Sequence, residues 1–91
     1  MSITVRIPSS LQLLTEGRKA VEVDGGTVAD IITGLERDYP GIEARLLDET
    51  NQLRRFVNIY LNEEDIRFLD GLATAVPENA EVSIIPAVAG G

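Results

Sequence analysis

The sequence predicts an α+β fold, a mixed sheet packed on one main helix, with a protruding C-terminal tail. Three observations predict it. Several short runs alternate apolar and polar residues, the period of a half-buried strand. One stretch alone carries a helical stripe long enough to cover a sheet, and it follows the first two strand runs. The chain has 91 residues and is 44% hydrophobic, which supports a single core and a single domain, residues 1–86, ahead of a flexible tail at 87–91.

The elements follow in order. Ile3-Thr4-Val5-Arg6-Ile7 alternates, with Ile3, Val5 and Ile7 inward, and Pro8 ends the run. Residues 8–17 carry Leu11, Leu13 and Leu14 in a connection of no evident period, closed by a turn at Glu16-Gly17. Residues 18–23 form a second strand, with Val21 and Val23 inward. Asp24-Gly25-Gly26 breaks it. Thr27 is placed to cap a helix, its hydroxyl taking a hydrogen bond from a free first-turn amide, and the charge of Asp30 suits the positive helix end. Val28, Ile31, Ile32, Leu35 and Tyr39 then share one helical face. Gly34 costs that helix about 1 kcal/mol relative to Ala, and Pro40-Gly41 stops it. Ile42 to Leu47 adds a short helical piece with Ile42 and Leu46 on one side.

Phe56-Val57-Asn58-Ile59-Tyr60-Leu61 is the next strand, with Val57, Ile59 and Leu61 on one face and Phe56, Asn58 and Tyr60 on the other. Asn62 to Asp65 reads as an acidic turn, Ile66-Arg67-Phe68 as a short edge strand, and Leu72 to Val76 as an apolar connection. Residues 81–85 form the last strand, with Val82 and Ile84 inward and Ile85 outward. A hairpin, a crossover helix and then further strands make the β-grasp, or ubiquitin-like, arrangement.

Composition excludes several classes of function. There is no Cys, so disulfides, thiolate metal sites and cysteine nucleophiles are absent. There is no His, the usual general base at neutral pH. The net charge of −7 opposes nucleic-acid binding, whose phosphates demand a basic surface. No apolar run approaches the roughly 18–20 residues of a membrane span, and the N-terminus lacks the pattern of a signal peptide. A cytoplasmic carrier or binding protein is expected, not an enzyme. Glu63-Glu64-Asp65 has neither His nor ligand spacing and reads as a solvated turn, not a metal site. Arg54-Arg55 is too short a basic run for nucleic acid.

The chemistry is expected at the tail. Pro86 has no amide hydrogen for a sheet ladder, and Ala87-Val88-Ala89-Gly90-Gly91 follows it. Gly is about 7% of residues, so two in the last places arise by chance in roughly one chain in 200. Glycine allows close backbone approach. A Gly91 carboxylate can therefore enter a narrow channel, be activated as a mixed anhydride with AMP, and accept sulfur or an amine.

The ending Pro86-Ala87-Val88-Ala89-Gly90-Gly91, at the end of this element order, resembles the ubiquitin-like sulfur carriers of the ThiS/MoaD family. Arg55-Phe56-Val57-Asn58-Ile59-Tyr60, Ile66-Arg67-Phe68 and Gly71-Leu72-Ala73-Thr74-Ala75 resemble more closely the CysO-type carriers of bacterial cysteine biosynthesis. The resemblance implies a cycle. An E1-like adenylyltransferase of the MoeB/ThiF type activates Gly91 with ATP, and a thiocarboxylate is formed there. A pyridoxal-phosphate cysteine synthase offers an aminoacrylate made from O-phosphoserine, the sulfur adds to it, and an S-to-N acyl shift leaves cysteine on Gly91. A JAMM-type zinc peptidase releases the cysteine. ATP, pyridoxal phosphate and zinc belong to these partners, and none is bound by the carrier itself. Gly90, Ala89 and Val88 would be read as the tail threads. Ile85 would dock on the activating enzyme, with Phe56 and Tyr60 on the same sheet face. That face could instead be covered by Leu11, Leu13 or Leu14. A molybdopterin synthase small subunit, a protein modifier and a plain interaction domain are the alternative functions.

Overall fold

A computed structural model describes residues 2–86 of the chain. The expected tail at 87–91, with its boundary after residue 86, lies outside the described residues. The elements are β1 (Ser2–Arg6), a 3-10 segment (Ser9–Thr15), β2 (Ala20–Asp24), α1 (Val28–Asp38), α2 (Glu43–Leu46), β3 (Val57–Leu61) and β4 (Glu64–Asp65). Two 3-10 turns follow, at Ile66–Phe68 and Gly71–Ala73, and then β5 (Glu81–Pro86).

The five strands form one sheet in the order β2-β1-β5-β3-β4. β1 runs antiparallel to β2 and parallel to β5, and β3 runs antiparallel to both β5 and β4. The sheet is therefore mixed, and its last strand lies at its centre. The pleat sends Ile3, Val5, Val21, Val23, Val57, Ile59, Leu61, Val82 and Ile84 into the core. Val28, Ile31, Ile32 and Leu35 of α1, with Ile42 and Leu46 around α2, complete the cluster. Full burial of side chains such as Ile59 or Leu35 contributes about 1.5–3 kcal/mol each relative to exposure. The helix starts as its local chemistry dictates: the Asp30 amide donates to the Thr27 hydroxyl at 3.2 Å. Tyr39 is the C-terminal cap residue and is half-buried.

Gly34 is buried in α1, and a Cβ there would stand 2.5 Å from Cγ1 of Val23. The helix thus lies on β2 at a distance only glycine allows. At the end of α1, Glu36 turns the chain into α2. The Gly41 amide donates to both of its carboxylate oxygens at 3.1 Å, and the Glu43 amide to Oε1 at 2.9 Å.

Several expectations are corrected. Residues 9–15 are 3-10 helical, with the buried Thr15 hydroxyl 3.0 Å from the Arg18 carbonyl. The segment ends through left-handed backbone at Glu16 (φ 58°) and Gly17 (φ 80°). β2 therefore begins at Ala20, just after the Lys19 carbonyl, which accepts the Ile7 amide at 2.8 Å. Phe56 precedes β3 in a turn closed by the Val57 amide on the Arg54 carbonyl at 3.0 Å. The edge strand is Glu64–Asp65, not Ile66–Phe68. Asn62 and Glu63 both take positive φ (48° and 78°), the geometry of a two-residue hairpin turn. Asp65 then accepts the Arg67 amide at 2.9 Å and starts a 3-10 turn, a side-chain bond that competes with strand pairing.

Candidate functional site

The site is built where β5 leaves the sheet. Pro86 stands opposite Val57, Ile85 opposite Asn58, and Ser83 opposite Tyr60. Because Val57 and Ile59 face the core, Asn58 and Tyr60 lie on the outer face with Ile85. Ile85 is 45% exposed, Phe56 is 53% exposed and Tyr60 is half-buried. The register thus places Tyr60 and Ile85 on one face, while Phe56 lies outside the ladder, on the turn before β3.

Leu11 and Leu14 pack against the core cluster, and Leu13 is 94% exposed. Leu13 therefore covers neither face, and Ile85 keeps nearly half of its surface exposed. A shallow depression borders Ile85 and Pro86, lined also by Arg6, Pro8, Gln12 and Lys19.

Arg67, which sequence reasoning gave no role of its own, fixes the other side. Its guanidinium donates to the Asn58 side-chain oxygen, to the Val57 carbonyl at 2.9 Å and to the Arg54 carbonyl at 3.0 Å. It thereby ties the turn carrying Phe56 to the 3-10 turn after β4. All three acceptors are neutral. No periodicity announces such a contact, because two of the acceptors are backbone carbonyls.

Val88, Ala89, Gly90 and Gly91 lie outside the described residues. Among the described residues no group of three or more His, Cys, Asp or Glu side chains is gathered for a metal. Nor is any helix long and apolar enough to cross a membrane. Asp48 lies away from the β5 exit, lining a depression beside α2 with Glu36 and Arg54. The Thr50 hydroxyl first, then the Gln52 and Thr50 amides, hold its carboxyl below the ordinary value of 3.8.

A mixed sheet ordered β2-β1-β5-β3-β4, wrapped on one helix and ending in a central strand, defines the ubiquitin-like β-grasp class. The chain belongs to the ThiS family, whose model matches residues 5–91. It is 50% identical to the sulfur carrier protein CysO of Mycobacterium tuberculosis over 93 residues, covering 100% of both chains. A chain in the crystal structure of the Amycolatopsis orientalis BexX/CysO complex superposes with a TM-score of 0.93 at 47% identity, covering 98% of this chain and 99% of that one. Small archaeal modifier protein 3 of Haloferax volcanii is 38% identical over 68 residues, 75% of this chain and 73% of that protein. The chain is thus a homologue of sulfur carrier proteins.

Proposed function

We propose that this chain carries sulfur as a thiocarboxylate on Gly91 and delivers it to cysteine biosynthesis by the O-phosphoserine route. One observation carries the reading: a named sulfur carrier matches the chain end to end at 50% identity. The sheet supports it. β5 is held on both sides, by β1 and β3, up to a proline that cannot extend the ladder by donation. Residues beyond Pro86 start from a fixed root beside the exposed Ile85.

In this reading the Gly91 carboxylate attacks the α-phosphate of ATP on an E1-like enzyme. Pyrophosphate leaves and an acyl-adenylate forms. A sulfide-level nucleophile then attacks the acyl carbon, the C–S bond forms as the C–O bond to AMP breaks, and the thiocarboxylate and AMP are left. Gly90, Ala89 and Val88 thread the channel, and Ile85, Phe56 and Tyr60 dock outside it. A cysteine synthase and a JAMM-type peptidase use and clear the loaded end. The chain supplies no general base to these steps; it presents an acyl group to enzymes that do.

Intact mass of the protein from its native cell tests the reading. Thiocarboxylate adds the difference between sulfur and oxygen, and a cysteine adduct adds one cysteinyl residue. Deletion of Gly91 abolishes both and leaves the thermal transition in place, since residues 2–86 contain the whole described core. Full sulfur transfer by that deletion variant would refute the mechanism. The 38% identity to a small archaeal modifier protein favours one second reading, a tail joined to lysines of other proteins. Ladders of higher-mass conjugates in place of the thiocarboxylate would establish it.

A further inference from the structure

Lys19 is the one lysine of the chain; the other seven cationic side chains are arginines, and there is neither Cys nor His. An acyl-adenylate or a thioester is attacked by free amines, thiols and imidazoles. A guanidinium stays protonated and offers no lone pair for that attack. Lys19 is therefore the one side chain that can hold an acyl group as a stable amide.

The fold sets this amine near the place where the last strand ends. The Lys19 carbonyl accepts the Ile7 amide at 2.8 Å, which pins residue 19 beside the end of β1. β1 lies between β2 and β5. Two strand spacings, about 10 Å, thus separate the backbone of Lys19 from that of β5. Lys19 also lines the depression that Ile84 and Pro86 border. It is exposed, and no ion pair involves it among the described residues. Its cationic neighbours are engaged: Arg6 pairs with Glu81 at 3.1 Å, and Arg18 stands 3.9 Å from Glu16. Five residues follow Pro86, and five residues can span up to about 17 Å. The length of chain beyond Pro86 exceeds the gap, and the four-carbon stem of lysine shortens it further.

We infer that Lys19 is an acylation site for the chain's own activated end, its amine closing an internal isopeptide bond with the Gly91 carbonyl. The inference rests on activation of Gly91, the step that both readings above share, and on nothing later in either. The free amine adds its lone pair to the acyl carbon. The C–N bond forms, the C–O bond to AMP breaks, AMP leaves with the bonding pair, and the nitrogen gives its extra proton to solvent. A short tether holds its ends at an effective concentration in roughly the millimolar range, so the lysine of the same chain is favoured over that of a second copy. The ring removes the terminal carboxylate. A chain closed in this way can neither be activated again nor carry sulfur until the amide is hydrolysed. Sulfur and Lys19 thus compete for one carbonyl.

The test needs no partner enzyme. The full chain is prepared with a mercaptoethanesulfonate thioester at Gly91 and held at mildly alkaline pH. Intact mass separates the products, and peptide mapping locates the new bond. The expected product has lost the thiol without gaining water, joins Gly91 to Lys19, and forms at a rate unchanged by dilution. Lys19→Arg abolishes it, and thermal unfolding checks that the variant folds. The short tether exists only in the folded protein, so wild type in urea closes at least about tenfold more slowly. A thioester that only hydrolyses, a bond mapped to another amine, or a rate that rises with protein concentration overturns the inference, as does equal closure in urea. Closure at Lys19 together with a native cell that yields no thiocarboxylate refutes the carrier reading and keeps the site. Hydrolysis alone together with a thiocarboxylate from the native cell refutes the site and keeps the carrier.

Discussion

Replacing Gly34 by Ala sets two magnitudes against each other. In an exposed helix the change stabilises by about 1 kcal/mol, because Gly loses more backbone entropy on folding. Here the new methyl would sit 2.5 Å from Val23 Cγ1 and 3.5 Å from the Asp24 carbonyl oxygen. Carbon atoms at van der Waals contact need about 3.5–4.0 Å, so something must move by roughly an ångström. Val23 is β-branched and sits in a strand, and rotating it swaps one methyl for the other at an off-rotamer cost of about 0.5–1.5 kcal/mol. Lifting α1 instead loosens Val28, Ile31, Ile32 and Leu35 together. Overpacking of this kind costs about 1–3 kcal/mol. Contact offsets or outweighs propensity, and Gly34→Ala is expected to destabilise by up to about 2 kcal/mol net. In a domain of this size each kcal/mol lowers Tm by roughly 4–8 °C. Urea denaturation with an unchanged slope measures it. Val23→Ala in the same background removes Cγ1, so the double-mutant cycle should show coupling of about 1 kcal/mol or more. A Gly34→Ala protein that gains the full propensity increment, with no coupling to Val23, would refute the close-contact argument.

Other perturbations read other parts of the molecule. Glu36→Ala removes the acceptor for the Gly41 and Glu43 amides, and should cost about 1–2 kcal/mol in chemical denaturation, with faster hydrogen exchange at those two amides. The Asp48 carboxyl is held below 3.8 by hydrogen bonds to its charged form. Its contribution to the 48–52 loop is therefore complete above the unfolded value and fades as pH falls through the folded one. Carboxyl chemical shifts followed by NMR should place the Asp48 titration below 3.8, and Thr50→Val should move it back up. Ile85→Ser leaves the fold intact, because Ile85 is nearly half exposed, but should raise KM for adenylation by about tenfold through lost apolar contact; an unchanged KM would remove Ile85 from the docking surface.

How much could be read from the chain alone follows the range of each interaction. The start of α1 was legible because its determinants, Thr27 and Asp30, are three residues apart. The strands around Val5, Ile59 and Val82 were legible because their alternation matches a buried sheet face. Gly34 looked like a local cost, since its partner Val23 lies eleven positions away in another element. The edge strand was misplaced because both a strand and a 3-10 turn bury Ile66, and the choice was made by the Asp65 side chain. Arg67 reads in the sequence only as part of an edge strand and of the family resemblance, as its work is done on Asn58 and on two carbonyls distant in sequence. Exposure of Ile85 depended on whether Leu11 to Leu14 fold over the sheet, and a 3-10 helix, whose period the text of the chain does not display, directs Leu13 away.

The position of the final strand has a mechanical consequence. β5 lies between β1 and β3, the most strongly shared place in the sheet, so the first and last strands of the chain are clamped side by side. Tension applied beyond Pro86 loads two ladders lengthwise, and many hydrogen bonds must slip together before any one yields. An outer strand would peel away bond by bond. The domain can therefore be tugged repeatedly at its last strand without unravelling.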